Sequence, residues 1–145
     1  MAFITDPVLT KAVKSANTHA GNPLPDHWEE AIPRANRWAY NRIRGVILGR
    51  GFTAAEFAAW GASGEEGQDW NERIGVLYAF WLTSKSDEDR GRAYSDELKE
   101  AFEELAEVKI VVDGELVQPT GTVRVGFGTF DDDVLEDTFS DDMVL

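Results

Sequence analysis

The chain has 145 residues and a formal net charge of -13, from 14 Lys and Arg against 27 Asp and Glu. That length supports one ordinary core, and 43% hydrophobic residues with five Trp exclude a wholly disordered chain. Cysteine is absent, which excludes a disulfide framework, a thiolate zinc site and a Cys nucleophile.

The opening Met1-Ala2-Phe3-Ile4-Thr5-Asp6 has neither the basic nor the apolar region of a secretory leader, so none is expected. Asp6-Pro7 is a good helix start, because Asp caps and Pro at the first helical position loses no needed N–H. Leu9, Ala12, Val13 and Ala16 give that helix a weak apolar stripe, and the Gly-Asn-Pro-Leu-Pro of residues 21–25 ends it. A second helix is expected from Asp26, with Glu29 completing a capping box. Its residues Trp28, Ile32, Ala35, Ala39, Ile43 and Val46 share one face at about 100° per residue. Arg34, Arg37 and Arg44 project from the opposite face, and Pro33 should kink the helix or delay its start. Gly49-Arg50-Gly51 stops it.

Thr53 and Glu56 form another capping box, heading a short helix with Phe57 and Trp60 that ends at Gly61. Residues 61–67 read as a flexible loop, after which Asp69 and Glu72 are expected to cap a helix running to about Ser84. Trp70, Ile74, Leu77 and Trp81 line one side of it while Val76 and Phe80 point elsewhere, the mark of a central helix packed on several sides. The apolar run from Val76 to Leu82 is far too short to cross a bilayer. A last helix follows Ser86-Asp87-Glu88-Asp89. Its Tyr94, Leu98, Ala101, Phe102 and Leu105 face the core, and Asp96, Glu100, Glu103 and Glu107 form an acidic opposite face.

The period then changes. Residues 108–112 and 115–117 flank Asp113-Gly114, the strongest short hairpin signal a sequence offers. Thr122-Val123-Arg124-Val125-Gly126-Phe127 alternates as a third strand would. The expected fold is mainly α: a small bundle of four to five helices over residues 1–107, a β-hairpin and strand appendage over 108–130, and an acidic tail over 131–145. That tail holds seven acids and no base, so disorder is expected unless a partner orders it.

Catalytic chemistry is sparse. His19 and His27 lie in or beside the first loop with no acid and nucleophile arranged around them, and Asp26 is explained as a helix cap. Gly126-Phe127-Gly128 is not followed by a helix, so it is no dinucleotide fingerprint. Asp131-Asp132-Asp133 lacks Ca²⁺-loop spacing and reads as solvated charge. No catalytic residue, cofactor or metal is expected, and no membrane contact.

Charge asymmetry is more informative. Residues 31–55 carry five arginines (Arg34, Arg37, Arg42, Arg44 and Arg50) and no acid. The segment has no Lys and the chain is acidic overall, which disfavours nucleic-acid readout; guanidinium pairs bidentately with carboxylates, so contact with an acidic protein surface is expected instead. Trp38 sits at the edge of the apolar face near the arginines, as either an interface aromatic or a partly buried core residue.

In the opening Ile4-Thr5-Asp6-Pro7-Val8-Leu9, the Ala35-x-x-x-Ala39 helix, the aromatic helix from Ile74 to Leu82 and the Tyr94-to-Leu105 helix leading into short strands, the chain resembles the head-tail connector, or adaptor, proteins of tailed bacteriophages. It departs from them at Pro33, in the short helix inserted near residues 52–61, and in a long C-terminal extension. The resemblance implies a structural virion protein, made in the bacterial host cytoplasm. It implies a dodecameric ring of copies that docks below the portal protein, extends the DNA channel without sequence-specific binding, and carries the next tail or neck component. Arg34, Arg37, Trp38, Arg44, Val123, Val125, Phe127, Phe130 and Phe139 are then the candidate subunit or portal contacts. Asp96, Glu100, Glu103 and Glu107 would face either the channel, where like charge lets DNA slide, or a neighbour's arginines. The competing expectation is an acidic mimic of DNA, or another non-catalytic inhibitor, that binds a basic partner in a salt-sensitive way.

Overall fold

The computed structural model describes residues 2–20, 24–84 and 87–123. The expected mainly helical architecture is found: five α-helices and one short 3-10 turn precede a two-stranded antiparallel hairpin among the described residues. Of the tail and the third strand, residues 124–145 lie outside the described residues, and Thr122 and Val123 are not in a strand.

Helix α1 (Asp6–Ala20) begins at its expected cap, so Asp6 is already helical, one residue earlier than Asp6-Pro7 implied. Thr5 fills that role instead: its hydroxyl accepts from the Val8 N–H at 3.4 Å and its carbonyl from the Leu9 N–H at 3.1 Å. Leu9 and Val13 enter the core.

The capping box expected at Asp26 and Glu29 does not form. His27 adopts a left-handed conformation, Trp28–Ala31 makes a 3-10 turn, and α2 (Ile32–Gly49) starts only at Ile32. Pro33 gives the physical reason. Its ring excludes the helical carbonyl four residues back, so it is tolerated only in the first turn of a helix that starts beside it. Within α2 the expected face holds, with Ile32, Ala35, Ala39, Ile43 and Val46 all buried, while Trp28 of that face falls in the 3-10 turn and is half-buried.

Helix α3 (Ala54–Trp60) carries the expected reciprocal capping box, with Thr53 and Glu56 each satisfying the other's backbone N–H. Helix α4 (Glu66–Ser84) starts one turn earlier than expected, so Asp69 lies in its first turn rather than ahead of it. Gly67 is therefore a helical residue, placed where a Cβ would come within 2.6 Å of the Trp60 carbonyl oxygen. Its small size serves close packing rather than loop flexibility.

Helix α4 is central, as its apolar circumference implies, with α1, α2, α3 and α5 (Glu88–Leu105) all packed against it. Trp70, Ile74, Tyr78, Ala79, Phe80 and Trp81 are buried along its length. Asp87 caps α5 by accepting from the Arg90 N–H, and Leu98, Ala101, Phe102 and Leu105 complete the core. Strands β1 (Val111–Val112) and β2 (Glu115–Leu116) pair antiparallel with Val111 opposite Leu116. Asp113 and Gly114 both have positive φ, at 52° and 78°, as a two-residue type I′ turn requires. Ile110, just before β1, is buried in the same core as Leu105.

Candidate functional site

A buried polar network fixes the elements that carry the surface. Asn36 on α2 and Asn71 on α4 are buried and joined by a bond from the Asn71 side-chain amide to Asn36 Oδ1, 2.9 Å long. The Asn36 amide donates onward to the Ile4 carbonyl at 2.8 Å and to Asp6 Oδ1 at 3.0 Å. Asn71 Oδ1 accepts from the Phe3 N–H at 3.1 Å. The network pins the segment before α1 onto α2 and α4, and the Phe3 ring packs against Tyr40, Phe57 and Trp60. Both asparagines fall on the core faces of their helices, a polar residue at an apolar register position, and that signal was readable in the sequence.

Trp38 resolves to the second of its two expected roles. It is only 8% exposed and stacks on Tyr78 at 3.9 Å between centroids, with rings 10° from parallel. Phe102 meets it edge-on and the Arg42 guanidinium lies over it at 5.8 Å. Its placement as a subunit or portal contact is therefore corrected, because the packing of α2 on α4 and α5 leaves little of the indole at the surface.

The arginines of α2 divide. Arg37 and Arg44 are exposed on the face away from the core, and among the described residues neither makes a hydrogen bond or ion pair. Arg34 is half-buried. Arg50, just past α2, is structural: its guanidinium donates to the Leu105 carbonyl at 2.9 Å and the Val108 carbonyl at 2.6 Å. It thereby satisfies carbonyls that the end of α5 leaves open. Burial pulls its pKa below the usual arginine value.

The acidic residues Asp96, Glu100, Glu103 and Glu107 are all exposed, as expected of an outward face. Of the four, Glu100 also lines a surface groove of about 690 Å³ where α1, α4 and α5 meet. Ala12, Ala16, Val76 and Leu77 form its apolar floor, and Asp69, Glu72, Glu97 and Glu100 its acidic walls. Arg73, the basic residue among them, stacks over Trp70 at 4.9 Å and is held by Glu104 at 2.7 Å. The groove draws on three separate helices, so periodicity within any one of them does not reveal it.

Val123 is 66% exposed at the last described position, while Val125, Phe127, Phe130 and Phe139 lie outside the described residues. The segment ahead of it is tied down. The Gly121 N–H donates to the Gly51 carbonyl, and Thr120 donates from both its hydroxyl (3.1 Å) and its N–H (3.4 Å) to the Glu56 carboxylate. The Thr53 N–H, followed by the Thr120 bonds, holds the Glu56 pKa below its ordinary value.

Among the described residues there is no group of three His, Asp or Glu placed to hold a metal ion, and no helix long and apolar enough to cross a membrane. No protein-family model, curated protein or solved structure matches this chain.

Proposed function

We propose that this chain is a structural, non-catalytic subunit of a tailed-phage neck, a head-to-tail adaptor that forms a ring below the portal. In that role it belongs to the virion, extends the DNA channel and offers a docking platform to the next tail component. The element order carries the reading: a central aromatic helix clasped by α1, α2 and α5, with the last helix leading directly into a short hairpin. Two surface features support it. The exposed stripe Asp96, Glu103 and Glu107 suits a wall that repels phosphate and lets DNA slide. The exposed Arg37 and Arg44 suit contact with an acidic protein surface.

The test is to incubate purified protein with portal-bearing heads of tailed phages and to image the portal vertex by electron microscopy. A ring of added density at the vertex is the expected result. A bare vertex, with the chain instead binding a basic protein in a salt-sensitive way, would replace this reading with that of an acidic DNA mimic.

A further inference from the structure

We propose that the groove between α1, α4 and α5 receives the arginine stripe of α2 from a second copy of this chain. The contact rests on the assembly reading and names the partner that this groove receives there.

Charge complementarity selects the occupant. The groove walls present Asp69, Glu72, Glu97 and Glu100, and its guanidinium, Arg73, is neutralised by Glu104. The complementary surface is on the same chain, where Arg37 and Arg44 are exposed without an internal partner among the described residues. Arginine stems are apolar, so they can lie on the floor of Ala12, Ala16, Val76 and Leu77 while their head groups reach the walls.

The two surfaces cannot meet within one copy. Helix α2 meets α4 through Asn36 against Asn71 and Trp38 against Tyr78, whereas Arg37 and Arg44 are exposed on its outer face. The groove opens on the side of α4 that α1 and α5 flank. Donor and receptor therefore lie on opposite sides of the bundle, and the contact is head-to-tail. Each added copy leaves one groove and one stripe open, so association continues until a rotation closes the ring.

Sedimentation velocity of the full chain, over a concentration series at low and high salt, reads this directly. Wild-type protein should associate with rising concentration, and salt should weaken the association. Arg37→Gln with Arg44→Gln removes the stripe; Glu72→Gln, Glu97→Gln and Glu100→Gln together blunt the groove. Each set should weaken self-association by at least about tenfold while far-UV circular dichroism and Tm stay at wild-type values. Mixing the two variants leaves one intact interface per pair, so they should form one-to-one dimers and nothing larger.

A wild-type chain that stays monomeric at low salt, or variants that associate as wild type does, would overturn the proposal. So would a monomeric chain whose groove binds only an added arginine-rich peptide, which assigns the groove to a foreign basic partner. The stripe variant on portal-bearing heads separates this contact from the adaptor reading. Normal ring density with that variant sinks the contact and keeps the adaptor. Salt-sensitive head-to-tail association beside a bare vertex does the reverse.

Discussion

Asn36 and Asn71 show how much a single buried polar pair can hold. Replacing Asn71 by Leu orphans the Phe3 N–H and Asn36 Oδ1 together. A loss of about 2–4 kcal/mol is expected in urea unfolding, since each unsatisfied buried group costs about 1–3 kcal/mol. Asn36→Leu should cost a similar amount, and the double variant less than the sum, because the two share a bond. Strict additivity in that cycle would show that the pair is not coupled. Gly67 makes the complementary case. Alanine is favoured over glycine by about 1 kcal/mol in an ordinary helix. Here the new methyl meets the Trp60 carbonyl at 2.6 Å and the Gly61 Cα at 2.8 Å, backbone atoms that cannot swing aside. Gly67→Ala should therefore destabilise by about 1–2 kcal/mol, against the propensity scale; an unchanged or raised Tm would refute the close approach.

At the level of elements, what was legible depended on whether one local interaction decided the outcome. The Thr53–Glu56 capping box and the Asp113-Gly114 turn are complete within a few residues, and both form where expected. The Asp26–Glu29 box has the same pattern and fails, because Pro33 lies too close for a helix to run through it. The start of α4 was misplaced for a different reason: a glycine in sequence looks the same whether it frees a loop or admits a neighbour's backbone. The groove was illegible in principle from one helix at a time, since its floor and walls come from α1, α4 and α5.

Glu56 links two such elements and makes their stability depend on pH. Its ordinary pKa of 4.5 is lowered in the fold, mainly by the Thr53 N–H and then by Thr120. A depressed carboxylate pKa adds stability above the unfolded value, and that stability disappears as pH falls through the folded one. Acidification from pH 5 downward should accordingly loosen the 118–123 segment, read as a lower protection factor at the Thr120 amide once its intrinsic exchange rate at each pH is divided out. Glu56→Gln should remove that part of the pH dependence. A Thr120 exchange profile that keeps its acid-side inflection in the variant would assign it to another group.

For the whole molecule, the last 15 residues hold -7 of the formal -13. Deleting residues 131–145 should leave the far-UV circular dichroism and Tm of the helical domain close to wild type, because the described core ends at Ile110 and its covering segment at Val123. The same deletion should abolish docking on portal-bearing heads, scored by vertex imaging; wild-type docking by the shortened protein would remove the tail from the adaptor role.

The return of residues 118–123 to the α2–α3 junction also sets a mechanical path. Gly121 is bonded to Gly51 and Thr120 to Glu56, while Arg50 grips the carbonyls of Leu105 and Val108. Tension applied through the chain beyond Val123 therefore reaches the end of α2 before it can peel the hairpin or unwind α5. A pull on that end is received by the middle of the bundle, and the clasp at Gly51 and Glu56 is the first place to yield.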